Sequence, residues 1–135
     1  MNAAKNHTSD GRIDADMGAK ALPVVLRILD KWECTQAEKT KLLDVSRSTL
    51  HNYQKNPEKL KLSGGTLERM SYILNIHKCL RIMFESSESV YGWVRKPNSH
   101  PFFNGRSAMD VMLNGNVTDL WQVASRLNAW RGGRS

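Results

Sequence analysis

Thr35-Gln-Ala-Glu38-Lys-Thr40-Lys-Leu-Leu-Asp44-Val-Ser46-Arg-Ser-Thr-Leu50-His-Asn-Tyr53-Gln-Lys55 carries the pattern of two short helices joined by a tight turn. Thr35 and Glu38 stand at capping-box spacing, so a helix is expected to start at Gln36 and to run through Leu42 or Leu43. Asp44 then occupies a tight turn, which its tolerance of the left-handed region allows. Ser46 offers a second N-cap, and the next helix should run from Arg47 to about Lys55, stopping before Pro57. This is the rhythm of a helix-turn-helix. Thr40 supplies the small residue where two such helices cross, and Leu43, Val45, Leu50 and Tyr53 stand where the second packs on the first. Lys39 departs from the pattern, since an apolar residue is usual there. With Leu50 and Tyr53 buried, Arg47, Ser48, His51, Asn52 and Lys55 share the opposite face. Arg and Asn read guanine and adenine edges, whereas Ser and Lys mainly grip the backbone. Gln36, at the start of the preceding helix, is placed to bond a phosphate.

On the N-terminal side, Ala21, Leu22, Val25, Leu26 and Leu29 fall at helical spacing, with Trp32 closing the stripe. Pro23 suits only a first turn, so this helix is expected to begin near Lys20 or Ala21, after a flexible arm over residues 1–18. On the C-terminal side, Ser63-Gly-Gly65 reads as a loop and Thr66 as a third N-cap. Leu67, Met70, Ile73 and Leu74 then make an apolar face, which Ile76, Leu80, Met83 and Phe84 continue after a bend near Asn75. The pattern breaks at Ser86 to Ser89, dividing residues 19–85 from 86–135. Ala108 to Leu113 reads as a short helix, Asn114-Gly115 as its C-terminal turn, and Thr118 to Trp130 as a long one with Leu120, Val123 and Leu127 on one face. Trp93 and Trp121 are expected in the core. No stretch alternates with period two, so the fold class is all-α.

Composition narrows the function. The chain has 135 residues, 40% hydrophobic, and a formal net charge of +7, which suits an anionic partner. Its two cysteines, Cys34 and Cys79, stand in unrelated contexts and suit buried thiols in a reducing compartment. The longest apolar run, Ala21 to Leu26, is too short for a bilayer, and the first residues lack an apolar signal core. A cytoplasmic protein with no membrane contact is expected. His7, His51, His77 and His100 are scattered, so no metal site is expected. Ser107 lacks a nucleophile elbow, Asp110 lacks a catalytic partner, and Asn104-Gly-Arg106 is too short for a phosphate loop. Neither an enzyme nor a cofactor is indicated.

The last third carries the most distinctive wording: Tyr91-Gly-Trp-Val-Arg-Lys-Pro-Asn98, then Phe103-Asn-Gly-Arg-Ser-Ala-Met-Asp-Val-Met-Leu-Asn-Gly115, then Trp130-Arg-Gly-Gly133. From Tyr72 to Gly133, with Ile76-His-Lys-Cys-Leu80 as the linking helix, the chain resembles the toxin-binding domain of the Xre/MbcA/ParS antitoxins. Those are partners of RES-type toxins that consume NAD. The Leu-Leu-Asp-Val and Ser-Arg-Ser-Thr-Leu run is similar to Cro/Xre-type regulators. The resemblance implies an antitoxin that binds operator DNA and covers its toxin's NAD cleft. Carried over by position, the implied toxin contacts are Trp93, Arg95, Asn98, Gly105, Arg106, Ser107, Trp130, Arg131, Gly132 and Gly133. Trp130 and Arg131 have the chemistry of an interface anchor, and the two glycines would let the backbone enter a narrow cleft. One departure is Ser99-His-Pro-Phe102, which lengthens the link between Pro-Asn and Phe-x-Gly. A homodimer is expected, because such readers address two half-sites. The rival reading is a stand-alone repressor whose C-terminal domain dimerises or senses a ligand.

Overall fold

The computed structural model describes residues 14–56 and 61–133, and among them the structure is helical throughout, without strands. Helix α1 (Ala15–Lys31) is capped by Asp14, whose carboxylate accepts from the Met17 amide. It therefore begins earlier than the sequence suggested, and residues 15–18 are helix rather than arm; residues 1–13 lie outside the described residues. Pro23 sits inside α1, not in its first turn, and leaves the Ala19 carbonyl without its in-helix donor. Burial of Leu22, Val25, Ile28, Leu29 and Trp32 on one stripe offsets that loss. Gly18 permits the crossing onto the following helices: a Cβ there would meet the Leu67 side chain at 2.2 Å.

Helices α2 (Gln36–Leu43) and α3 (Arg47–Lys55) form the helix-turn-helix at the expected boundaries. The capping box closes, with Thr35 Oγ1 accepting from Glu38 N at 3.1 Å and Glu38 Oε1 accepting from Thr35 N at 2.9 Å. Asp44 takes the left-handed conformation at φ 56°. Ser46 caps α3 by accepting from Thr49 N. The anomalous Lys39 is buried, and its ammonium reaches the Asp30 carboxylate on α1.

Helix α4 (Gly64–Met83) is the axis of the molecule, with α1 and α7 both packed along it. Ser63 is its N-cap, so Gly64 and Gly65 belong to its first turn instead of a loop. Thr66 is not the cap. Its hydroxyl donates to the Leu43 carbonyl at 3.0 Å, tying α4 to the end of α2. The helix continues without a break past Asn75. The interrupted pattern at 86–89 corresponds to a new start, α5 (Ser87–Gly92), capped by Ser86. A single 3-10 turn over Trp93–Arg95 follows, then α6 (Ala108–Met112) and α7 (Val117–Arg131). Buried side chains from Leu22 to Leu127 make one continuous cluster, which crosses from the helix-turn-helix into the last three helices. Trp121 is not part of it. At 51% exposure its ring stands on the outer side of α7, because the inner side is filled by Leu120, Val123 and Leu127.

Candidate functional site

The outer face of α3 follows from helix geometry. At about 100° per residue, Arg47, Ser48, His51, Asn52 and Lys55 span under half the circumference, and Leu50 and Tyr53 lie opposite. All five are exposed, while Leu50 and Tyr53 are buried. Among the described residues, the side chains of Arg47, His51, Asn52 and Lys55 make no hydrogen bond or ion pair. Ser48 Oγ lies 3.2 Å from Ser46 Oγ. Gln36 is held differently: its amide exchanges two hydrogen bonds with Gln54 of α3, at 3.0 and 3.2 Å. That pairing orients Gln36 beside the recognition face, and nothing in the local sequence around Gln36 announces it.

The residues assigned by resemblance to toxin contact behave otherwise. Arg95 reaches back to the junction of α1 and α2, where Nε donates to the Trp32 carbonyl at 2.9 Å and Nη2 to Glu38 Oε1 at 2.8 Å and the Glu33 carbonyl at 3.3 Å. Glu38 thus serves both the α2 capping box and this bridge. The guanidinium holds its carboxyl below the usual carboxylate range, and the carboxylate in turn raises Arg95. At the other end of α2, buried Arg69 donates to the carbonyls of Lys41, Leu42 and Gly115, the last at 2.8 Å. The helix is therefore clamped at both ends to the C-terminal half. Neither arginine's role is visible in local sequence.

Asn98, Gly105 and Arg106 close a loop on itself. Asn98 N donates to the Arg106 carbonyl at 3.0 Å and Gly105 N to the Asn98 carbonyl at 2.8 Å, with Gly105 at φ +86°. The lengthened 99–102 segment is absorbed inside this loop, where the His100 carbonyl accepts from the Phe103 and Asn104 amides and His100 Nδ1 from the Phe102 amide. Arg106 spans the same loop, donating to the Phe102 and Phe103 carbonyls at 3.0 Å each. Ser107 is buried and caps α6 in a capping box with Asp110.

Trp130 belongs to the last turn of α7 and packs on the fold's own aromatic corner. Its ring lies 6.2 Å from Trp93 and 5.1 Å from His100, both edge-on, and 6.2 Å from Phe103. Arg131, Gly132 and Gly133 are exposed at the end of that helix, with Arg131 Nε donating to Asn128 Oδ1 at 3.2 Å. So Trp93, the 98–106 loop and Trp130 converge on one corner, Arg95 faces α2, and Arg131 to Gly133 stand apart.

Both cysteines are free, and burial pushes the Cys34 thiol up to about 11 and raises Cys79 as well, so neither is a thiolate at neutral pH. Among the described residues no His, Cys, Asp and Glu group could hold a metal ion, and no helix is long and apolar enough to cross a membrane.

Residues 11–75 match the family model of the antitoxin Xre-like helix-turn-helix domain, and residues 79–133 that of the antitoxin Xre/MbcA/ParS C-terminal toxin-binding domain. The chain belongs to the Xre-type antitoxins. A Sinorhizobium fredii (strain NBRC 101917 / NGR234) protein called uncharacterized protein y4oB is 42% identical over 118 residues, covering 83% of this antitoxin and 84% of the relative. The two matched regions meet inside α4, so a single helix serves both halves of the antitoxin. A toxin and DNA are the partners that these domains imply.

Proposed function

We propose that this antitoxin represses transcription at its own operator through the outer face of α3, and neutralises a cognate RES-type toxin by covering the cleft in which that toxin consumes NAD. It acts as a cytoplasmic homodimer, each copy presenting one α3 to a half-site. The observation that carries the reading is the combination in one chain of an α3 face with free base-reading groups and a C-terminal region of the toxin-binding family. Support for the RES class comes from Gly105-Arg-Ser107 and Trp130-Arg-Gly-Gly133, whose wording and spacing resemble the antitoxins of those toxins. Arg131, Gly132 and Gly133 are exposed at the end of α7 and Gly105 and Arg106 at the tip of the 98–107 loop, so both are available to the toxin, and Trp130 supports the helix that presents the tail.

The test pairs the purified antitoxin with the protein encoded by the neighbouring reading frame. That protein should consume NAD alone and stop doing so when an equimolar amount of antitoxin is added, and the antitoxin should shift a DNA fragment carrying its own promoter. A neighbour that leaves NAD untouched removes the RES assignment. A promoter shift without any toxin complex would instead favour the stand-alone repressor.

A further inference from the structure

The outer side of α7 carries a surface in which Trp121, Ser125 and Asn128 lie outside the motifs that the sequence singles out. At about 100° per residue, Ser125, Asn128 and Gly132 fall within a narrow stripe with Trp121, while Trp130 points to the opposite side. Trp121 is 51% exposed, the only Trp, Tyr or Phe among the described residues that is exposed to that degree. It forms one wall of a groove between α7 and α4, whose other wall includes Tyr72 and Asn75. The lining side chains of this groove are all uncharged, so a partner can cover them without stripping water from an ion. The floor is already ordered: Asn128 Nδ2 donates to Asn75 Oδ1 at 2.7 Å, and the Cys79 thiol donates to Asn128 Oδ1 at 3.4 Å. A second hollow, at the C-terminal end of α7, shares Ser125 and Asn128 with the first and reaches Arg131 and Gly132. Asn128 Oδ1 also accepts from Arg131 Nε. The groove is therefore continuous with the end of the helix assigned above to the toxin's cleft.

We propose that the toxin docks along this groove, with the Trp121 indole as its anchor and the Ser125–Asn128–Gly132 stripe leading to the cleft. This rests on the toxin-neutralising reading, and it assigns the docking energy to Trp121 instead of Trp130, which is spent on the aromatic corner. The partner surface it calls for has an apolar pocket for an indole, ringed by neutral hydrogen-bonding groups. A half-exposed Trp that becomes covered at an interface centre is among the strongest of anchors.

The experiment titrates full-length antitoxin, Trp121→Ala and, independently, Ser125→Arg with the toxin from the neighbouring reading frame by calorimetry. Light scattering and thermal melting are run on each antitoxin alone. Each variant should melt like the parent and keep its oligomeric state, yet bind toxin roughly a hundredfold more weakly. Folded variants that bind as tightly as the parent overturn the groove while leaving the toxin-neutralising reading intact. A variant that loses its oligomeric state, with or without toxin affinity, assigns the face to a second copy of the chain and also overturns it. If the parent antitoxin itself binds no toxin, the underlying reading fails and the docking groove with it.

Discussion

The outer face of α3 and the 93–107 segment are both rich in residues whose types suggest contact with a partner, and they use those residues in opposite ways. On α3 the polar groups radiate into solvent, because buried Leu50 and Tyr53, with the Gln54–Gln36 pair, attach the helix and leave Arg47, His51, Asn52 and Lys55 unengaged among the described residues. In the 93–107 segment the same kinds of group are consumed internally: Arg95 by α2, Arg106 by its own loop, Ser107 by the α6 cap. A fixed motif in a very short domain is often its own scaffolding, since little core is available to hold irregular backbone. Here arginines that each donate to two carbonyls, Arg95 and Arg106, and capping hydroxyls do what larger domains leave to apolar packing. In the C-terminal half the Trp121 stripe stays open to solvent.

The sharpest way to break this contrast is at Arg69. Arg69→Met should lower stability by about 3 kcal/mol, since it leaves the carbonyls of Lys41, Leu42 and Gly115 without their charged donor in a buried setting. Denaturant melts would show it, and near-parental stability would mean that the clamp holds nothing. Arg47→Ala or Asn52→Ala should leave the melt unchanged and cost roughly 1–3 kcal/mol each in operator affinity, read by titration at fixed salt. A loss of stability there, or unchanged operator affinity, would erase the difference between the two regions.

The smallest effect is expected at Arg95, which remains partly exposed. Arg95→Ala should cost about 1 kcal/mol at neutral pH. Because Arg95 lowers the Glu38 carboxyl below its ordinary 4.5, the bridge contributes fully above that value and is lost as pH falls through the depressed one. The stability gap between parent and Arg95→Ala should therefore shrink in acid. A gap that stays constant from pH 7 to well below the carboxylate range would show that Glu38 is not the partner that matters.

How far the sequence could be read depended on the range of each interaction. Capping boxes, N-caps and the Asp44 turn are set within four residues, so α2, α3 and α6 were legible almost to the residue. The start of α1 was not, because the penalty for Pro23 is local whereas the burial that outweighs it comes from α4 across the core. The same competition moved the start of α4 to Ser63 and gave the Thr66 hydroxyl to Leu43. The resemblance to Xre-type antitoxins was also legible, because it rests on wording and spacing alone. Periodicity, caps and motif spacing were thus enough for the all-α class, the helix-turn-helix and the family. Which polar groups are spent and which remain is a matter of long-range packing: whether Arg95 meets Glu38, Arg69 meets Gly115, or Trp121 meets water depends on partners 46 or more residues away, or on none at all.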